Sequence, residues 1–209
     1  MSDFFDVALR QRACRDFSNE PVPDADIERI LEAATHAPSA ENAQPWVFIV
    51  VRDDDRRAAL AELTRRIWAG GARDDAMTRL DAKLAADVDG GIERGLGGAP
   101  VIVVIAADTA SGVHPRAVAS SIFPAVQNLL LAAGALGYGS ALTTLTAAAG
   151  DQLRAIVDLP DHVTPMAVVP LGRPARPLGR PRRRPFSEST FRDRYDRRWR
   201  DGDGSSTPP

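Results

Sequence analysis

Between a helical pattern and a strand pattern lies the segment Ala37-Pro38-Ser39-Ala40-Glu41-Asn42-Ala43-Gln44-Pro45-Trp46. Its two prolines bracket small and amide residues that prefer turns, so the segment is predicted to form a rigid loop. Before the loop, apolar residues at helical spacing predict a helix from Asp24 to about His36. After it, residues 46–51 have the composition of a β-strand. The loop therefore joins a surface helix to a sheet.

Helix and strand patterns alternate along the rest of the chain. Further helices are predicted at residues 3–12, 53–69, 124–136 and 151–157, and further strands at residues 100–107, 138–144 and 166–171. Residues 101–107 are all Val, Ile or Ala, which is typical of a strand buried on both faces. The order of elements predicts an α+β fold around about four strands.

The chain of 209 residues is long enough for one domain and a tail. Residues 1–172 are predicted to form the domain, and the glycine-punctuated residues 69–98 a mobile cover with a single helix over residues 75–88. Closely spaced prolines mark the exit into a C-terminal arm, residues 173–200. Residues 201–209 have the composition of a disordered tail.

Several classes of function are disfavoured by composition. One cysteine and three scattered histidines provide no cluster with metal-ligand spacing, so no metal site is predicted. No glycine-rich nucleotide motif stands between a strand and a helix, and no G-x-S-x-G elbow is present. The chemistry expected of this chain therefore does not depend on a metal or a serine nucleophile.

Membrane and nucleic-acid association are also disfavoured. The longest apolar run has seven residues, against about 20 for a membrane span, and no secretory signal is visible, so we expect a cytoplasmic protein. The segment from residue 173 onward carries a net charge of +6 and the remainder −8. The basic segment contains interspersed acids and lacks the aromatic interleaving of a base-stacking surface, so nucleic-acid binding is not expected.

Four separated pieces of sequence could form one site for an anion and a ring. They are arginines after the first helix, amides in the 37–46 loop, two threonines near residue 143 and the arginines at 182–184. Guanidinium groups suit bidentate contact with phosphate, and the loop and threonines offer hydrogen-bond donors. Each piece alone is more often a solvated charge or an ordinary turn, so only their combination points to a site.

These pieces resemble motifs of the nitroreductase family of flavin enzymes. Residues 37–46 resemble its A-P-S-x-x-N-x-Q-P-W loop, and residues 11–17 are similar to its R-R-S-x-R-x-F opening. Residues 126–133 resemble its Q-N-L-L-L-A-A helix. Residues 170–174 and 183–185 match its closing P-x-G-x-P and R-K-P. The motifs occur in the family's order.

The resemblance implies a central mixed β-sheet of four to five strands flanked by helices, with C-terminal arms exchanged across a homodimer. It also implies non-covalently bound FMN at sites built from both chains. By position, ten residues are assigned to the cofactor: Arg12 and Arg183 at the phosphate, Arg15 at the pyrimidine edge, Pro38, Ser39, Asn42 and Gln44 beside the isoalloxazine or ribityl, and Leu142, Thr143 and Thr144 near N5 and O4. No catalytic residue is assigned, because this chemistry needs no protein nucleophile or base.

The activity implied is transfer of two electrons from NAD(P)H to nitroaromatics, quinones or similar flat acceptors. A fixed cation such as Arg15 stabilises the negative charge that a flavin gains on reduction. Two alternatives stay open: a flavin-binding or storage protein with little turnover, and a specialised family activity such as flavin fragmentation. The motifs do not choose between NADH, NADPH and a deazaflavin as donor.

The sequence departs from the family pattern at Gln11 and Ala13, where the family has Arg and Ser. These changes favour weaker FMN binding unless Arg10 or Arg182 compensates.

In the cover, three apolar residues could line the pocket or pack in the core: Trp68, Met77 and Leu80. A dehalogenating relative uses Glu, Tyr and Lys there, whereas this cover has Lys83 and no Tyr, which disfavours that activity.

Overall fold

The computed structural model describes residues 3–199. Its helices are α1 (Phe4–Arg10), α2 (Asp24–Thr35), α3 (Asp54–Ile67), α4 (Arg73–Met77), α5 (Ala82–Glu93), α6 (Pro115–Ala135) and α7 (Gly150–Ile156). Its strands are β1 (Trp46–Val51), β2 (Val101–Asp108), β3 (Gly139–Ser140) and β4 (Val163–Gly172). The tail that the sequence predicts to be disordered, residues 201–209, lies outside the described part of the chain.

The four strands form one sheet in the order β1-β2-β4-β3, and neighbouring strands run antiparallel. A parallel pairing joins Ala13 to Ser140 as an isolated bridge at the β3 edge. This arrangement confirms the predicted α+β fold and places the segment after α1 directly beside the sheet.

Strand β2 lies in the middle of three layers. Its residues 101–107 are at most 1 % exposed. Val101, Val103 and Ile105 pack in the cluster that contains α2 and α6 residues, whereas Ile102, Val104 and Ala106 pack in the cluster that contains α3 and α7 residues. Because side chains of a strand alternate between faces, one apolar strand fills both cores. The prediction of a strand buried on both faces is confirmed.

Helix α6 is nine residues longer at its start than its pattern predicts. Proline is favoured in the first turn of a helix, so Pro124 was a natural start position. In the structure Pro124 lies inside the helix, and Ser121 and Ile122, which precede it, are fully buried. Packing therefore holds the helix continuous through the proline. The helix has the length and hydropathy of a membrane span, but its buried face is part of the core between α2 and the sheet.

The strand predicted at residues 138–144 is shorter in the structure. Only Gly139 and Ser140 pair with β4, at the edge of the sheet. A Cβ on Gly139 would lie 2.7 Å from the Cys14 side chain, because the segment after α1 crosses here. Beyond Ser140 the chain rejoins β4 once, where Thr143 and Val168 exchange two backbone hydrogen bonds of 2.9 and 2.8 Å. The residues between these two pairings do not pair with β4, and they form part of a cavity wall.

The C-terminal arm leaves β4 beside the segment after α1. The backbone N–H of Ala175 donates to Asp16 O at 3.0 Å, and that of Ser18 donates to Arg173 O at 2.9 Å. Farther along, residues 182–186 are exposed and lack helix or strand structure apart from a short turn that begins at Phe186. The division into domain, cover and arm stays a prediction, as does exchange of the arm between two chains.

Candidate functional site

A cavity of about 300 Å³ opens between the segment after α1, the cover and the chain beyond β3. Three of the ten predicted cofactor residues line it, namely Arg15, Leu142 and Thr143. Ala141, Leu145 and Ile92 add apolar wall. Arg79 and Asp75, which pair at 2.6 Å, also line it, so the cavity combines a few charged side chains with a largely apolar surface, as is usual for a small-molecule site.

Arg15 is held firmly in the cavity wall. Its guanidinium donates to Asp87 Oδ2 of α5 at 2.8 Å, and its backbone oxygen accepts from Arg94 at 3.1 Å. A Cβ on Gly91 would lie 2.8 Å from Arg15 Cβ, and one on Gly97 would lie 2.7 Å from Arg15 O. The two glycines therefore allow the cover to press directly on this arginine.

Thr143 is fixed by the sheet. Besides its two backbone bonds to Val168, its Oγ1 accepts a hydrogen bond from the N–H of Leu145 at 3.2 Å. Leu142, 43 % exposed, lies on the cavity rim. Thr144 is exposed and is not part of the cavity wall.

The loop that follows α2 is built by its own polar groups. Ser39 Oγ accepts from the N–H of Gln44 at 3.0 Å, and Gln44 Nε2 donates to Asn42 Oδ1 at 3.2 Å. Asn42 and Gln44 have φ of 55° and 50°, in the left-handed region that asparagine tolerates. Pro38, Asn42 and Gln44 are exposed, and none of these four residues lines the cavity of the same chain.

The two predicted phosphate contacts differ in their surroundings. Arg12 donates from Nη1 to Gly179 O at 3.1 Å, whereas its buried Nε makes no hydrogen bond within residues 3–199. Arg183 is exposed on the arm and donates to the neighbouring Arg182 O. Arg12 thus has a buried donor without a partner among the described residues, and Arg183 faces solvent in the single chain.

Of the three apolar cover residues named from the sequence, one lines the cavity. Trp68, 6 % exposed, belongs both to the cavity wall and to a small apolar cluster, so both interpretations of this residue hold. Its Nε1 donates to Asp89 at 2.7 Å. Hydrogen bonds from Arg73, followed by the one from Trp68, lower the pKa of Asp89. Met77 and Leu80 pack on the cluster and do not line the cavity.

The cover has two helices, α4 and α5, where one was predicted. Gly70 and Gly71 interrupt the helical geometry between α3 and α4, with φ of 122° at Gly71. Asp81 caps α5 by accepting from the N–H of Leu84 at 2.9 Å. The predicted helix at 75–88 therefore spans parts of two helices, because a local capping signal inside it was missed.

Cys14 is a further wall residue, 1 % exposed. Its Sγ donates to Asp16 O at 3.3 Å, and burial is the main cause that raises the pKa of the thiol. A neutral thiol in this position is a poor nucleophile. Among residues 3–199, no group of three or more His, Cys, Asp and Glu side chains is arranged to hold a metal ion.

Comparison with known proteins decides the family. The sequence model of the Nitroreductase family matches residues 8–173. The chain belongs to the nitroreductase family. An NADH dehydrogenase from Thermus thermophilus is 32 % identical over 183 residues, which are 81 % of this chain and 85 % of that protein. As a nitroreductase-family member, the protein is an FMN-dependent oxidoreductase.

Two other relatives extend the comparison. A protein from Desulfovibrio desulfuricans solved in complex with FMN is 26 % identical, with a TM-score of 0.71 over 93 % of this chain and 99 % of that one. Iodotyrosine deiodinase 1 of Rattus norvegicus is 27 % identical over 83 % of this chain, which spans 63 % of that relative. The relatives of this chain thus carry more than one named activity.

The residues present fit FMN in part within one chain. The cavity offers Arg15 and apolar walls, whereas Arg12, whose buried Nε makes no hydrogen bond within residues 3–199, does not line it. A volume of about 300 Å³ is at the lower end of the range for small-molecule sites. The cavity of one chain therefore includes only part of the residue set assigned to FMN.

Proposed function

We propose that this nitroreductase-family protein binds FMN and passes two electrons from NAD(P)H to nitroaromatics, quinones or similar flat acceptors. The observation that carries the proposal is Arg15 in the wall of a largely apolar cavity, within the sequence range that matches the family. The cofactor supplies the redox chemistry when bound. The chain's own part is to bind, orient and electrostatically stabilise it.

The role proposed for each residue follows from the position of its side chain. Arg15 would stabilise negative charge at the pyrimidine edge of the flavin, because a fixed cation there favours the reduced form. Arg12 would donate from its free Nε to the phosphate. Leu142 and Thr143, together with Thr144 beyond the rim, would flank the reactive side of the ring.

A homodimer is part of this proposal. Pro38, Ser39, Asn42 and Gln44 lie outside the cavity of their own chain, so a second copy would bring its loop to the site. Helix α1 has no buried residue, and its apolar side chains Phe4, Phe5 and Leu9 are 62–70 % exposed. Clustered exposed apolar side chains of this size are typical of an interface.

The proposal is tested by an absorbance spectrum and an anaerobic reduction. We expect purified protein to bind FMN with a yellow flavin spectrum and to bleach when NADH or NADPH is added. Bleaching reversed by a quinone or nitroaromatic would support turnover. Protein that stays colourless after FMN is added would overturn the proposal, and bound flavin that resists both donors would favour the storage alternative.

Reductive dehalogenation is the second candidate, supported by relatives named iodotyrosine deiodinase. Lys83, the cover lysine, is exposed and does not line the cavity. This position favours reduction of nitroaromatics or quinones over dehalogenation. Release of iodide from 3-iodotyrosine by the reduced protein, measured against a nitroaromatic under the same conditions, distinguishes the two activities.

A specific prediction concerns Arg183 in the C-terminal arm. Arg183→Ala is expected to raise the Kd for FMN about tenfold, because a charged hydrogen bond to phosphate contributes about 1.5 kcal/mol or more. Fluorescence quenching on titration with FMN measures this change. Arg184→Ala, an equal loss of charge at the next position, serves as the control. Unchanged flavin retention in Arg183→Ala would remove that residue from the site.

A further inference from the structure

One carboxylate joins three separated parts of the chain beside the cavity. Asp87, on the cover helix α5, accepts from Arg15 Nη1 through Oδ2 at 2.8 Å. Its Oδ1 lies 3.8 Å from a guanidinium nitrogen of Arg176 at the beginning of the arm. The side chains of Asp87 and Arg15 are both 28 % exposed, so the pair is partly shielded from solvent.

The same helix prevents Arg15 from moving away from Asp87. Gly91 lies one turn after Asp87 and, having no side chain, lets α5 approach Arg15 Cβ. Arg94, at the end of α5, donates to Arg15 O at 3.1 Å and pairs with Asp16 at 3.2 Å. The backbone and the guanidinium of Arg15 are therefore both fixed by one helix.

We propose that Asp87 is a positioning residue of the flavin site, which orients the Arg15 guanidinium and offsets part of its positive charge. This inference rests on the proposed function. If Arg15 faces the pyrimidine edge, its charge stabilises reduced flavin more than oxidised flavin. A carboxylate 2.8 Å from the guanidinium reduces that preference. Asp87 thereby holds the flavin potential below the value that Arg15 alone would set.

The test is the midpoint potential of bound FMN, with the Kd for oxidised FMN measured alongside. Asp87→Asn keeps the shape and a hydrogen-bond acceptor but removes the charge. We expect it to raise the ratio of reduced to oxidised flavin affinity about tenfold, which corresponds to about 30 mV for a two-electron couple. Asp87→Glu, which retains the charge, should restore a potential close to that of the wild type.

Two controls separate this role from a general effect of charge. Asp74→Asn removes the same charge from α4 in the cover, outside the cavity wall, and should shift the potential much less. In an Arg15→Gln background, where Asp87 keeps only the longer contact with Arg176, Asp87→Asn should shift the potential much less than it does in the wild type. A purely structural role for Asp87 would change the melting temperature without this pattern of potentials.

The outcomes separate the inference from the function on which it rests. Wild-type protein that fails to bind FMN would overturn the proposed function and the inference together. FMN binding with an unshifted potential in Asp87→Asn would overturn the inference alone. Equal shifts in Asp87→Asn and Asp74→Asn, or a full shift that persists without Arg15, would overturn it as well.

Discussion

Gly97→Ala is expected to lower the free energy of unfolding by about 3 kcal/mol. Gly97 has φ of +76°, and a Cβ there would lie 2.7 Å from Arg15 O and 2.9 Å from the Phe17 ring. The substitution therefore combines backbone strain with a collision against backbone and core atoms. Because the displaced atoms belong to Arg15 and its neighbours, we also expect weaker FMN binding.

The neighbouring glycine provides a matched control. Gly98 has φ of +70°, but a Cβ there would meet no atom within 4 Å. Gly98→Ala should therefore show only the strain, about 1 kcal/mol. Urea unfolding of both variants without FMN measures the difference. Equal losses of stability would mean that the close approach of Gly97 to Arg15 does not exist in solution.

Arg12→Ala is expected to raise the Kd for FMN by a factor of about 10 to 100, since charged hydrogen bonds contribute about 1.5–3 kcal/mol. Its buried Nε has no partner within the described residues and would be satisfied by a phosphate oxygen. Riboflavin lacks the phosphate, so its affinity should be nearly the same in the variant and the wild type. Titrations with both flavins therefore identify the group that Arg12 contacts.

Arg10→Ala is the comparison for Arg12. Arg10 is exposed and pairs with Asp6 at 2.9 Å, so its removal should change FMN affinity little. If Arg10 compensates for Gln11 and Ala13, Arg10→Ala will raise the Kd for FMN as much as Arg12→Ala does. Equal loss of FMN and riboflavin affinity in Arg12→Ala would contradict a phosphate contact and indicate that Arg12 acts by holding the arm at Gly179.

Local sequence patterns predict the elements that have a regular apolar face or a continuous apolar run. Helices α2 and α3 and strand β2 agree with their predictions to within two residues at either end, because each has a regular apolar face or a continuous apolar run. The limits of α6 and β3 depended on packing against distant segments. Pro124 inside α6 and Gly139 under Cys14 are explained by contacts that local spacing does not encode.

The candidate site was predictable where one chain suffices. Arg15, Leu142 and Thr143 line the cavity, whereas Arg12, Thr144, Arg183 and the four loop residues do not, and the roles of all ten stay predictions. No pattern pointed to Asp87, which is 72 residues from Arg15 in the sequence. Its i,i+4 neighbour Gly91 was a weak signal, since a glycine within a helix costs stability unless close packing requires it.

The buried thiol of Cys14 gives this protein a built-in reporter. It is the sole cysteine of the 209-residue chain and lies in the cavity wall with 1 % of its surface exposed. An alkylating reagent can reach it only when the cavity wall opens. The rate of labelling therefore measures how often the wall opens, and no probe has to be introduced. Comparing that rate with the cavity filled and empty would measure how tightly an occupant closes the protein around itself.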